Sequence, residues 1–218
     1  MTQAIAIDFV SDIACPWCVI GLWGLDQALA SLEGEIEAEI HFRPFELSPE
    51  LPPGGVNLFE HMGRKIGATR EQSLAARAAI TERAAALGFT MRYDEDFRAY
   101  NTFDAHRLLH WAGPTGGQHA LKRALFEAYF DRNEAIDDRA VLAEIAGRVG
   151  GNPDAARHML DSGQYADEVR AEEQLWQSRG INAVPSIVVD MRYLISGGQP
   201  PEVFEQTLRS IVAQRSAA

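Results

Sequence analysis

Apolar and polar positions follow three regimes along this chain. Residues 4 to 10, Ala-Ile-Ala-Ile-Asp-Phe-Val, form a short apolar run suited to a buried strand and interrupted by a single acid, Asp8. After Ser11 the spacing becomes helical through Val19, Ile20, Leu22, Trp23, Leu25 and Leu29, and from Glu35 to Leu47 it returns to a strand pattern around Ile36, Ile40 and Phe42. Ser48 to Asn57 carries three prolines and two glycines, which deny it a regular ladder, and it reads as a linker. From about Leu58 to Arg179 the pattern predicts only helices. Thr69 and Gln72 form a capping box for one that stops at Gly88, three more run near 102 to 112, 117 to 131 and 137 to 149, and Asn152-Pro153 starts another. Tyr165 to Arg179 is the last of them. Strand character then resumes at Ser186 to Val189 and Tyr193 to Ile195, Gly197-Gly198 makes a turn, and Pro200-Pro201 opens a final amphipathic helix through Val203, Phe204, Leu208, Ile211 and Val212.

The order strand-helix-strand, helical block, strand-strand-helix predicts an α/β fold in which one sheet layer, built from both ends of the chain, is interrupted by an all-helical insertion. Residues 1–57 and 180–218 are the two parts of the layer, and 58–179 the insertion. Composition agrees with a globular protein: of 218 residues, 46% are hydrophobic and 23% charged, spread along the whole length. The net charge of -11, with Lys and Arg interleaved among carboxylates, argues against nucleic acid as a partner. The N-terminus enters a strand pattern without a basic stretch and apolar segment, and no membrane span is evident, so a cytoplasmic location is expected.

Chemistry concentrates at one point. The chain's two cysteines, Cys15 and Cys18, are three positions apart, where the first strand gives way to a helix. A bridge between them closes too short a loop to restrict the unfolded chain much, so the pair is reactive or metal-binding rather than structural. At a strand-to-helix corner, unpaired N–H groups and the helix dipole stabilise a thiolate, which makes Cys15 the nucleophile. Pro16 fits the first helical position, and the helical turn returns Cys18 to Cys15 as the resolving thiol, expected to be the more buried. Trp17 offers an apolar platform to a partner or packs on the protein itself, and brings no charge to hold a thiolate. Asp8, a carboxylate in an apolar strand, either has a raised pKa and exchanges protons with the buried thiol or sits solvated at a half-exposed strand end; Asp12 would by charge alone oppose a thiolate at Cys15. A Cys-x-x-Cys is also half of many zinc sites. The histidines at 41, 61, 106, 110, 119 and 158 lie on different elements, though His106 and His110 are one helical turn apart, and no metal is assigned.

Asp8-Phe9 ahead of Cys15-Pro16-Trp17-Cys18, Val184-Pro185 before a strand, Ser196-Gly197-Gly198-Gln199-Pro200 before the last helix, and the segment from Asn101 to Leu109 together resemble the DsbA-like thioredoxin-fold oxidoreductases, most closely their cytoplasmic FrnE-like branch. The resemblance implies a thioredoxin fold with a large all-helical insertion and a thiol-disulfide oxidoreductase acting on protein or small-molecule thiols and disulfides. It also implies a cis Pro185 lying against the cysteines, with the backbone of Val184 left to pair with a substrate chain. No cofactor is called for; glutathione is a candidate co-substrate, since related glutathione-linked isomerases and kappa-class transferases share the insertion, and His106 and Arg107 would then belong to a pocket wall or else be capping or surface groups on an insertion helix. Alternatives are an isomerase or glutathione-linked enzyme acting on a small aromatic or polyketide-like compound, and a redox sensor or metal-binding protein. A homodimer is compatible with the number of apolar helix faces.

Overall fold

A computed structural model describes residues 2–216. Four strands form the central sheet: β1 (Gln3–Ser11), β2 (Ile36–Pro44), β5 (Ser186–Val189) and β6 (Tyr193–Ser196), in the order β2-β1-β5-β6. β1 runs parallel to β2 across the helix α1 (Pro16–Ser31), and antiparallel to β5, which pairs antiparallel with β6. The two ends of the chain therefore meet at the β1/β5 ladder, where Phe9 faces Ile187 and Asp8 faces Val188.

The period-2 pleat of β1 divides its side chains between two layers. Ile5, Ile7 and Phe9 enter the main core with Cys18, Leu22 and Leu25 of α1 and with Phe204, Leu208 and Ile211 of the last helix, α9 (Pro201–Ser216). Val10 turns to the other face and packs with Val188, Ile181 and Trp176, the last on α8 (Ala166–Ser178). Helices cover both faces of the sheet, so its central strand is buried throughout its second half.

Between β2 and α8 lie α2 (Leu58–Ile66), α3 (Arg70–Ala86), α4 (Phe103–Ala112), a 3₁₀ turn (Gly113–Thr115), α5 (Gln118–Phe130), α6 (Arg139–Arg148) and α7 (Pro153–Asp161). The sequence accounts for their starts. Thr69 and Gln72 make both bonds of the capping box of α3, and Asn57, Asp138 and Asn152 cap α2, α6 and α7. The reading of 58–179 as purely helical is corrected at one place: β4 (Arg98–Ala99) pairs with β3 (Val56–Asn57). A ladder of two residues a side leaves no alternation to read in the sequence.

The helical block shares the core of the sheet. Trp23 of α1 packs against Phe89 and Phe126 with ring centroids 4.7 and 6.4 Å apart, and the Gln118 side chain accepts from the Phe42 N–H on the edge strand β2 at 3.0 Å. Arg107, 1% exposed, is consumed by this packing: it donates to the carbonyls of Met159, Leu160 and Gln164 and to Asp104, joining α4 to the end of α7. Among the described residues no helix is long and apolar enough to cross a membrane.

Candidate active site

Cys15 is the N-cap of α1, extended at φ -92° and ψ 111°, with Pro16 at the first helical position and no side-chain cap on the first turn. A Ser or Asp in that place would accept an N–H of the first turn. With no cap, the N–H groups of the first turn and the positive end of the helix dipole are left at Cys15. The Cys18 N–H donates to the Cys15 carbonyl at 3.0 Å, closing the turn that brings the sulfurs together; both thiols are free, with Cys15 4% and Cys18 0% exposed.

Two distant segments complete the corner. The Val184–Pro185 peptide bond is cis, and the Val184 carbonyl lies 3.7 Å from Cys15 Sγ as its acceptor. Pro185 packs on α1 at Gly21, where an added Cβ would come within 3.1 Å of the proline ring. The Pro185 carbonyl in turn accepts from Gly197, whose φ of 80° suits glycine, and Gly198 sits so close to α1 that a Cβ there would lie 2.8 Å from the Trp17 carbonyl oxygen. The motifs at 15–18, 184–185 and 196–200 are thus one site.

The electrostatics separate the two thiols. Burial pushes the Cys18 thiol well above its ordinary pKa; its hydrogen bond with Cys15 and the negative charge on Cys15 push the same way, while Lys122 and the Asp12 backbone N–H oppose. Lys122, on α5, is fully buried, with its ammonium 4.9 Å from the Phe126 ring and 6.0 Å from Phe42, and has no hydrogen-bond partner among the described residues. Burial lowers its pKa to about 8, against the pull of Cys18, Asp12 and Cys15. It is the cation that the buried thiol feels, and sequence reading passed over it. The signal was present, since Lys122 lies on the stripe Leu121, Leu125, Phe126 and Tyr129, where a solvated lysine has no place.

Asp12 is buried but not adrift. It accepts from the Leu47 N–H at 2.7 Å and the Ala14 N–H at 3.2 Å, and lies 3.6 Å from His106 Nε2. Burial would raise its pKa, but the hydrogen bond and charge of His106, the Leu47 amide and Thr102 outweigh it and hold the carboxyl below its ordinary value. The segment from Asn101 to Leu109 earns its place here: Asn101 ties down the loop after β2 through the Pro49 carbonyl, and His106 bonds the Phe45 carbonyl at 3.1 Å.

Two expectations are corrected. Asp8 does not reach the thiols: it shares a sheet face with Val10 and Val188, opposite α1, and its carboxylate accepts from Arg43 at 2.6 Å, with Arg43 also bound to Glu172 of α8. Its acid in an apolar strand is answered by an arginine on the neighbouring strand, not by a sulfur. His106 and Arg107 are not among the residues lining the cavity beside Trp17; the first holds Asp12 and the loop after β2, and the second staples helices. Trp17 borders a cavity, with the Arg83 guanidinium 5.2 Å over its ring, while Pro16 lines the same cavity.

A Cys-x-x-Cys at the head of the first helix, facing a cis-proline loop on a sheet with helices on both faces, defines a thioredoxin fold. The chain belongs to the family of DSBA-like thioredoxin domains, whose model matches residues 6–209. It is similar to a probable DsbA oxidoreductase from Streptomyces coelicolor, with 35% identity, 94% of this chain and 89% of that one covered, and a TM-score of 0.86. The uncharacterised protein YwbO of Bacillus subtilis is 24% identical over 207 residues, 94% of this chain and 96% of its own. The cytosolic disulfide reductase DsbM of Pseudomonas aeruginosa shares the fold, with 17% identity, 95% and 99% coverage and a TM-score of 0.61.

Proposed function

We propose that this protein is a thiol-disulfide oxidoreductase that exchanges electrons between the Cys15–Cys18 pair and the disulfides of proteins or low-molecular-weight compounds. The observation that carries it is the placement of Cys15 Sγ at the uncapped N-terminus of α1 and against the Val184 carbonyl beside the cis Pro185.

The electrostatics support an order of events. The Cys15 thiolate attacks a substrate disulfide; one S–S bond breaks as another forms, and the departing sulfur leaves as a thiolate that takes up a proton. While Cys15 is ionised, its charge holds the proton on Cys18. Formation of the mixed disulfide removes that charge, and Lys122 and the Asp12 N–H remain to favour the Cys18 thiolate. Cys18 then attacks Cys15 Sγ and expels the second substrate thiolate, so two electrons pass to the substrate and the enzyme is left as a disulfide. A low-molecular-weight thiol such as glutathione restores the dithiol, two molecules being oxidised to one disulfide. An extended substrate chain would pair with the backbone of Val184, whose N–H has no partner among the described residues. In the reducing cytoplasm, where we place the protein, reduction or isomerisation of disulfides is the favoured direction.

Equilibration of the two thiols in defined glutathione buffers tests this reading. A reversible two-electron transition is expected in the wild type, lost in Cys15→Ser, with a mixed disulfide trapped on Cys15 in Cys18→Ser. Absence of any reversible transition, or two thiols protected by bound metal, would overturn it.

A further inference from the structure

The segment after β2 is held at three consecutive residues. The Phe45 carbonyl bonds His106 at 3.1 Å, and the Leu47 N–H donates to Asp12 at 2.7 Å. Between them Glu46 reaches the other way, to α8. Its carboxylate and that of Glu173 accept from the same nitrogen, Arg170 Nη1, Glu173 at 2.8 Å, and the two carboxyls are hydrogen-bonded to each other. Their side chains are 3% and 8% exposed, while that of Arg170 is 43% exposed, with its guanidinium 3.8 Å over the Phe103 ring. Asn101 Nδ2 donates to the second oxygen of Glu46 at 3.3 Å.

An ionised carboxylate only accepts, so a hydrogen bond between two carboxyl groups needs a proton on one of them. Charge leads to the same place. Burial pushes the Glu46 carboxyl up and the charge of Glu173 adds to it, against Arg170 and His106; burial and the charge of Asp12 push Glu173 up, against Arg170 and the hydrogen bond to Glu46. The proton belongs to the pair rather than to either residue. The other charged groups nearby are turned elsewhere: Glu172 on α8 meets Arg43 and His110, and Asp12 is engaged by the amides of Leu47 and Ala14.

We propose that Glu46 and Glu173 hold one proton between them and are positioning residues for the thiol corner. With the proton in place, α8 holds residues 45–47 against Asp12, whose carbonyl accepts from the Cys15 N–H at 3.3 Å and whose own N–H bonds the Cys18 thiol. When the proton leaves to solvent past Arg170, the exposed member of the group, a second buried charge appears beside Asp12 and the two carboxylates repel each other. The segment is then freed, and the added negative charge disfavours a thiolate at Cys15. The pair thus places an upper pH limit on the site that comes from carboxyls rather than from sulfur. The inference rests on Cys15 as the reactive thiol of the proposed exchange, not on the partner or the direction.

Infrared difference spectra and alkylation kinetics of the reduced protein, followed upward from the ordinary glutamate value of 4.5, test this. The wild type is expected to show a protonated-carboxyl band that titrates above the ordinary glutamate range. Glu173→Gln and Glu46→Gln should each lack it, and Arg170→Gln, which removes the cation, should move it to higher pH. The rate of Cys15 alkylation by iodoacetamide, taken as the ratio of wild type to Glu173→Gln, should stay constant until the band titrates. It should then fall by about threefold or more, the effect of half a pKa unit on a thiolate fraction. If Glu173 is only a structural tie, the ratio will not change with pH. That result, no such band in the wild type, or a band that survives both glutamine variants would each overturn the proposal. Redox titration of the wild type is read separately: both pH effects without a reversible thiol transition lose the exchange reading and keep this one, and a reversible transition with a constant ratio loses this one alone.

Discussion

Lys122 is the buried cation that lowers the Cys18 pKa against the larger effects of burial and of Cys15. Its burial lowers its pKa to about 8, so between pH 8 and the ordinary lysine value of 10.5 the folded protein holds fewer protons here than the unfolded chain. Stability must then rise with pH across that window, by up to about 1.4 kcal/mol per unit, and fall again as pH drops through 8. Lys122→Met is expected to lack this rise when denaturant unfolding of the two proteins is compared from pH 7.5 to 10. The same substitution takes the counter-charge from Cys18. Decay of a mixed disulfide on Cys15, followed by acid quench, should slow severalfold, because the Cys18 thiolate loses the cation that favours it. Asp8 makes the opposite case. Its carboxylate belongs to Arg43 on the far face of β1, and the parity of the strand, Asp8 with Val10 rather than with Ile7 and Phe9, already separated it from the thiols.

At the scale of elements, the site depends on how closely two segments, the Val184-Pro185 loop and the loop before α9, approach α1. Gly198 and Gly21 are where side chains are excluded, the first by the Trp17 carbonyl and the second by Pro185. Gly198→Ala places a methyl 2.8 Å from that backbone oxygen, so the loop before α9 must move away from α1. A loss of about 1–3 kcal/mol in stability is expected, with slower disulfide exchange, measured by chemical denaturation and by turnover of a small dithiol. An unchanged exchange rate in a destabilised Gly198→Ala protein would show that the loop's position does not matter to Cys15. The starts of α1, α3 and α7 were legible because a proline or a capping side chain marks them locally. The β3/β4 pair was not, since it exists only through contact between residues about forty positions apart.

For the whole molecule, Arg43 is the clamp that joins β2 to β1 through Asp8 and to α8 through Glu172, on the side of the sheet away from the cysteines. Arg43→Met leaves the Asp8 carboxylate buried without its cation and is expected to cost on the order of 3 kcal/mol in urea unfolding. Exchange by the folded fraction should stay within about twofold of the wild type, because 1.4 kcal/mol at the thiols would already change it tenfold. A parallel collapse of activity in folded protein would return Asp8 to the chemistry.

The sequence alone determined what rests on neighbours in the chain: the order of strands and helices, the thiol pair at a strand-to-helix corner and the proline that starts α1. Periodicity and capping act over a few residues and leave their mark there. The resemblance of scattered motifs added the family. Only the tertiary structure decided which distant groups share a space: Val184 at Cys15, Lys122 behind Cys18, Arg43 on Asp8, and Glu173 of α8 on Glu46. Those pairings depend on how helices and sheet pack, and on the charges that packing buries together, which no local pattern encodes.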